Sequence, residues 1–240
     1  QMFQYAIGRT IAELNNDDLS LDTSWYKHSR QWPYPFHLDK FNISDKKNPQ
    51  PGMGIKEIGY KYNSGITRVY IENIILDGYW QDDNYFKNFS SLIYNDLQLK
   101  KEYISEKYHP IEELINQLKQ PVFVHIRRAE RVIDKQPRSV HGLMPGWFYY
   151  HAMPYIKRLY PDATMLFFTD DIEYVKSKYD DQGPIIYSLS DYEHLSLMSK
   201  CKHAIIANSS FSWWAAWLIQ NPEKIVIAPS KWTVDPKNSN

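Results

Sequence analysis

The chain has 240 residues, in which 28 Lys and Arg balance 28 Asp and Glu. Zero formal charge argues against a dedicated nucleic-acid binder, which carries a basic excess, and one cysteine excludes an internal disulfide or a cysteine-rich zinc site. A mean hydropathy of -0.57, with no run of the ~18–20 apolar residues that a membrane span needs, argues for a soluble protein. No signal-peptide pattern is present, so a cytoplasmic, reducing compartment is expected, with peripheral attachment to a membrane left open.

The first apolar period, Phe3, Ala6, Ile7, Ile11 and Leu14, predicts a helix over residues 2–14. Residues 15–65 read as irregular and polar, and carry an aromatic and proline run from Trp25 to Phe36. Residues 69–76 read as a strand ending in the turn signal Asp77-Gly78. A short helical stretch is expected at 84–89, a longer one at 92–108 closed by Pro110, and another from Pro110 or Ile111 to Leu118. Beyond that point strands and helices alternate. Strands are expected at 122–126, 165–168, 184–187, 204–207 and 225–228, with helices at 147–159, 172–179, 192–200 and 211–220. Pro154 is expected to kink or shorten the first of these helices. Short apolar strands alternating with helices predict an α/β fold with a parallel sheet covered on both faces. The chain starts at Gln1 without an initiator Met and reads as trimmed at the front, with 236–240 a polar tail. Hydrophobic residues at 43% suffice for a sizeable core, and the 15% aromatic share suits either packing or a carbohydrate-handling surface. Division by the ~150-residue domain prior leaves one large or two small domains open.

In parallel sheets, ligands bind beyond the carboxyl ends of the strands. The first of these strands runs into His125-Ile126-Arg127-Arg128-Ala129-Glu130-Arg131. Arginine forks match phosphate oxygens in two-point contact, and an adjacent pair at a strand end favours an anionic ligand over a solvated charge cluster. The second strand ends in Thr169-Asp170-Asp171. One of these acids can cap the next helix, or accept hydrogen bonds from a base such as guanine, and a metal site is the weaker reading. The fourth ends in Asn208-Ser209-Ser210-Phe211-Ser212, which can both cap a helix and offer its N-terminus to an anion. Trp213, Trp214 and Trp217 on that helix read as core. Neither a Walker A loop nor a Gly-x-Gly-x-x-Gly turn is present. An arginine pair, an acidic pair and a capped helix start along one sheet rim suit a nucleoside diphosphate.

QMFQYAIG at 1–8, GYWQ at 78–81, HIRR at 125–128, FTDD at 168–171 and LMSKCKHAIIANSSFSWWAAW at 197–217 resemble, in order, the α-1,2-fucosyltransferases of glycosyltransferase family 11. The last block is the most specific. HIRR alone points only to the wider superfamily of α-1,2-, α-1,6- and protein O-fucosyltransferases. The resemblance implies a GT-B-like fold, two Rossmann-like lobes facing a cleft. Residues 1–118 would form the N-terminal, acceptor-side lobe and 119–240 the C-terminal, GDP-sugar-binding lobe. It implies inverting transfer of fucose from GDP-fucose to a galactoside hydroxyl, with no metal or other cofactor. Partners would be the nucleotide sugar and an oligosaccharide acceptor. Arg127 would engage the β-phosphate, His125 and Asp170 or Asp171 the guanine, and Ser209, Ser210 and Ser212 the phosphates, with Asn208 and Phe211 in the same loop. Arg127 and Glu130 are the catalytic candidates, and Gln1, Tyr79, Trp80 and Gln81 the acceptor-side candidates. The chain departs from the family in reading Ala129-Glu130 after the arginines where Gly-Asp is usual. It also has Trp80 for Phe, and lacks the Gly-Asn that precedes Gln1. Two alternatives follow: a GDP-sugar transferase of other donor or linkage, and a non-catalytic GDP- or glycan-binding relative.

Overall fold

A computed structural model describes residues 1–28, 35–46, 50–59, 61–68, 70, 73–128, 132 and 142–233. The chain divides into two compact units, Gln1–Tyr103 and Ile104–Asn240.

The first unit contains α1 (Met2–Asn15), α2 (Ser24–His28), β1 (Met53–Lys56), β2 (Ile74–Asp77) and α3 (Ser90–Asp96). The apolar period of α1 buries Phe3, Tyr5, Ala6, Ile7 and Ile11, and the helix stops at Asn16, a left-handed C-cap with φ 51°. Two bonds to one carboxylate pin α1 to α3: Tyr5 Oη at 2.7 Å and Arg9 Nε at 3.1 Å from Asp96 Oδ2. Burial and the hydrogen bond to Asp96 both push the Tyr5 phenol above its ordinary range. β1 and β2 pair in parallel. Neither α2 nor β1 is visible in the polar composition of residues 15–65. The strand expected at 69–76 is observed as β2, four residues ending at Asp77, while Val69, Ile71 and Glu72 lie outside the described residues. The long helix expected at 92–108 is instead α3 followed by a single turn, Lys101–Tyr103.

The second unit contains α4 (Tyr108–Gln117), β3 (Gln120–Ile126), α5 (Gly146–Leu159), β4 (Ala163–Thr169), α6 (Ile172–Tyr179), β5 (Ile185–Ile186), α7 (Asp191–Ser199), β6 (His203–Ile205), α8 (Ser210–Trp217) and β7 (Val226–Ile227). Pro110 does not close a helix. It sits in the first turn of α4, where its missing N–H leaves no intrahelical bond unmade. Pro154 lies inside α5 without ending it. The unit begins at Ile104 rather than at the expected 119, because α4 is bound to α7. Tyr108 Oη lies 2.8 Å from Ser196 Oγ, Lys200 Nζ lies 3.0 Å from Glu112, and the Ser105 N–H donates to Glu193 at 2.8 Å.

The five strands are all parallel, in the order β5-β4-β3-β6-β7. Alternate side chains of β3 and β4 explain their unbroken hydrophobicity, since both faces are covered. Val122, Val124, Ile126, Met165 and Phe167 pack with Tyr149, Ala152, Met153 and Ile156 of α5 and Val175 and Tyr179 of α6. Phe168 and His125 emerge on the opposite face, against α7 and α8, where Phe168 meets His194 and His125 meets Phe211. The chain enters at the central strand, runs outward through β4 and β5, then returns to β6 and β7. The topology therefore reverses between β3 and β6, which is where open α/β sheets place their ligands.

Candidate functional site at the carboxyl rim of the sheet

β3 delivers His125 to the rim as a buried residue, and the Tyr149 hydroxyl donates to its carbonyl at 3.1 Å. The two arginines that follow are each engaged by one acid from the end of β4. Arg127 Nε lies 3.3 Å from Asp170 Oδ2, and Arg128 Nε lies 3.3 Å from Asp171 Oδ2. All four side chains retain a fifth to a quarter of their exposure, so the pairs are reachable from solvent. The Arg128 N–H also donates to Asp170 Oδ1 at 2.7 Å, and the Arg128 guanidinium lies 3.6 Å above the Tyr174 ring. Asp171 is the N-cap of α6, accepting from the Tyr174 N–H at 3.1 Å. Thr169 locks this corner: its hydroxyl donates to the Ile126 carbonyl at 2.9 Å and accepts from the Asp171 N–H at 2.9 Å. Arg128 is thus held from three sides, and Arg127 has Asp170 on its guanidinium edge plus further contacts. Glu130, the expected base, lies outside the described residues, as does Arg131.

Across the switch point stands the loop from β6 to α8. Asn208 is buried, and its amide donates to the Trp232 carbonyl at 3.1 Å. Ser209 is the N-cap of α8 but makes no side-chain capping bond, which leaves the first-turn N–H groups unclaimed by it. Ser210 stands exposed at the helix start, and the Phe211 ring lies 5.5 Å from that of His125. Ser212, expected among the phosphate-binding hydroxyls, faces inward. It is fully buried, and its hydroxyl donates to the Ala207 and Ser209 carbonyls at 3.2 and 3.1 Å. At the other end of α8, the Lys224 ammonium donates to the carbonyls of Ala216, Trp217 and Ile219 at 2.9, 3.0 and 2.9 Å. Burial lowers the pKa of this amine.

Sequence reasoning passed over two rim residues. Tyr174 was detectable as the residue three places after the capping acid, one helical turn away. His194 lies on the first turn of α7, just after a capping box in which Ser190 and Glu193 exchange bonds. Its ring meets Phe168 edge-on at 5.6 Å. Its Nε2 is buried with no hydrogen-bond partner among the described residues. Burial lowers the His194 pKa against the opposing charges of Glu193 and Asp191, so the ring is neutral near pH 7.

The acceptor-side candidates all belong to the first unit. Gln1 is bound through its side chain to the Pro35 carbonyl at 2.9 Å and the His37 N–H at 3.1 Å. The turn at 78–81 is braced by one carboxylate, Glu57, which accepts from the Tyr79 and Trp80 N–H groups at 2.7 and 3.1 Å. Trp80 takes a left-handed φ of 57° and is buried, edge-on to Tyr85 at 5.6 Å. A Cβ at Gly78 would collide with the Glu57 side chain, so only glycine fits there. Tyr79 is thereby held outward, 62% exposed, and Gln81 is exposed beside it.

An α/β lobe with arginines, an open helix start and a buried imidazole at its topological switch point has the anatomy of a nucleotide-binding enzyme domain. The model described as Glycosyl transferase family 11 matches residues 69–240. The chain is 30% identical over 97% of its length to an alpha-1,2-colitosyltransferase of Escherichia coli, of which it covers 88%. It is also 30% identical, over 88% of its length, to the O-antigen biosynthesis glycosyltransferase WbnK of Escherichia coli, of which it covers 72%. The chain belongs to glycosyltransferase family 11. Among solved structures it is loosely similar to POFUT1 in complex with GDP-fucose, at 10% identity and a TM-score of 0.43. That match covers 65% of this chain and 54% of POFUT1, so the chain spans about half of that protein. NodZ alpha-1,6-fucosyltransferase soaked with GDP-fucose gives a TM-score of 0.38 at 16% identity, over 61% of this chain and 52% of that one. No helix among the described residues is long and apolar enough to cross a membrane.

Proposed function

We propose that this chain transfers fucose from GDP-fucose to a galactoside hydroxyl, forming an α-1,2 linkage with inversion and without a metal ion. The observation that carries the reading is the convergence, at one switch point, of Arg127 and Arg128 from β3 with His125, Phe211 and the start of α8. As the donor breaks down, its β-phosphate gains charge while the sugar becomes oxocarbenium-like. Arg127 exchanges its Asp170 contact for that phosphate, and the α8 N-terminus stabilises the same charge. Each such aimed donor is worth about 3–4 kcal/mol. Arg128, fixed by Asp171 and Tyr174, holds the loop in place, while His125 reads the guanine. A carboxylate removes the acceptor proton, a contribution of ~10²–10⁴-fold, and Glu130 is assigned that role. Tyr79, Gln81 and Gln1 are assigned to the acceptor. The test is Arg127→Lys, assayed with GDP-fucose and a panel of galactosides, with linkage analysis of the product. Near-normal turnover in that variant would sink the assignment.

A second reading keeps the chemistry and changes the donor. The alpha-1,2-colitosyltransferase relative matches 97% of the chain, which favours GDP-colitose as an alternative GDP-sugar. Assaying both donors in parallel separates the two, as does calorimetry that detects GDP binding without turnover of either, the outcome for a non-catalytic relative.

A further inference from the structure

In the first unit, the turn at 78–81 holds a backbone that its sequence does not favour. Among the described residues, Asn16, Asn73, Ser188 and Trp80 are the non-glycine residues with positive φ. The first three are small and polar, and asparagine enters the left-handed region with little strain. Trp80, at φ 57°, is the bulky exception. Such a conformation persists only where its surroundings over-determine it, and it clusters at active sites and ligand clamps.

Three contacts hold it. The Gln4 side chain of α1 donates to the Gly78 carbonyl at 2.9 Å, and the Trp80 indole is buried edge-on against Tyr85. The third is Glu57, one residue past the end of β1. Its Oε2 accepts from the Tyr79 N–H at 2.7 Å, and its Oε1 from the Trp80 N–H at 3.1 Å. The Glu57 N–H donates to the Asp77 carbonyl at 2.8 Å, so the carboxylate is tied to the end of β2, where the turn begins. Both oxygens of one acid thus serve two consecutive main-chain groups. The two side chains leave in opposite directions: Trp80 is 1% exposed and Tyr79 62%. A turn of Gly, Asn, Asp or Ser would reverse the chain without this strain. What the strained turn adds is an aromatic ring standing in solvent. Its apolar face and hydroxyl match the C–H face and hydroxyl edge of a pyranose.

We infer that Glu57 is a positioning residue for the acceptor: it fixes the turn that presents Tyr79 to the sugar. The inference rests on the assignment of Tyr79 to the acceptor above, and extends it to a residue 22 positions earlier in the chain. Glu57 itself touches neither substrate. Its charge is spent on the main chain, and its effect on the reaction passes through the ring that it holds outward.

The test uses the full chain, with GDP-fucose as donor and lactose as the galactoside probe. Glu57→Gln keeps one accepting oxygen and replaces the other with an amide nitrogen that cannot accept, while Glu57→Ala removes both. In Glu57→Gln the acceptor KM is expected to rise about three- to tenfold, the loss of one net hydrogen bond, and Glu57→Ala raises it further. The donor KM and kcat stay within about twofold, and GDP affinity by calorimetry is unchanged, since Glu57 acts on the acceptor alone. Tyr79→Ala sets the ceiling. Because Glu57 acts through that ring, adding Glu57→Ala to Tyr79→Ala raises the acceptor KM by less than about twofold more. Independent, multiplying losses in the double variant overturn the inference. So does a lowered thermal midpoint with an unchanged acceptor KM, which assigns the carboxylate to folding alone. If Glu57→Ala does not fold, an unchanged acceptor KM in Glu57→Gln overturns it equally. An unchanged acceptor KM in active Tyr79→Ala removes Tyr79 from the acceptor and takes the inference with it. If the wild-type chain transfers no sugar to lactose, the galactoside reading itself falls, a result distinct from those in which only the variants speak.

Discussion

The two halves of the rim are built differently. On the β4 side of β3, the charged groups are already matched, Arg127 with Asp170 and Arg128 with Asp171, and neutral Thr169 and Tyr174 brace them. On the β6 side the groups are neutral, and they sort by depth. Asn208 and Ser212 spend their polar atoms on backbone carbonyls, while Ser209 and Ser210 leave theirs at the helix start. The first half must therefore exchange partners to take a ligand, whereas the second is set in advance. Ion pairs at a partly exposed rim suit the first role, because such pairs are worth only about 0–1 kcal/mol and are replaced at little cost.

This contrast breaks most sharply at Arg127. Arg127→Lys keeps the charge and loses the fork, and is expected to lower kcat/KM by about 100-fold or more with folding intact, read by steady-state kinetics beside circular dichroism. Asp171→Ala tests whether the matched half is also structural. It removes the α6 cap and the Arg128 partner together, and a loss of about 1–2 kcal/mol is expected in urea unfolding. Ser212→Ala and Ser210→Ala probe the neutral half. The buried hydroxyl of Ser212 is expected to cost about 1 kcal/mol of stability with kcat nearly unchanged, and Ser210→Ala to reverse that order. Equal kinetic losses in both would erase the distinction by depth.

The smallest effect expected is with pH. His194 and His203 both have pKa values lowered by burial, and Glu193 is held below the ordinary carboxylate range because bonds from Ser105 and Ser190 outweigh its burial. In each case the unfolded chain binds the proton more tightly. Stability is therefore complete above the ordinary histidine value of about 6.5 and declines as pH falls below it. The decline is expected in thermal midpoints measured between pH 7 and 4, and His194→Phe should flatten its upper part.

The second unit was far more legible than the first. Unbroken apolar strands such as Val122 to Ile126 announce burial on both faces, and β3 to β7 and α5 to α8 lie within a few residues of their expected places. The first unit hid β1 because Met53-Gly54-Ile55-Lys56 is only four residues long, and it is exposed over most of its length. The helix misread at 92–108 shows the same limit. Its apolar positions Leu92 and Ile93 fall in α3, Tyr103 in the single turn and Tyr108 in α4, and the residues between α3 and α4 are not α-helical. At the site, residue types named the arginines, the acids and the serines. They could not say that Asp170 and Asp171 hold the arginines, or that Ser212 turns inward, since those depend on strand register. His194 was invisible because nothing local distinguishes it from a surface histidine.

Lys224 gives α8 an asymmetry with a wider consequence. A helix carries roughly half a positive charge at its start and half a negative charge at its end. Here the end is covered by an ammonium that binds its last two carbonyls, Ala216 and Trp217, and that of Ile219 just beyond it, so the negative pole is offset where it forms. An anion approaching Ser210 meets a positive pole with no opposing one behind it, and the helix acts as a monopole rather than a dipole. Its pull on an anion then falls off more slowly with distance, so a residue outside the rim strengthens the field at the start of α8.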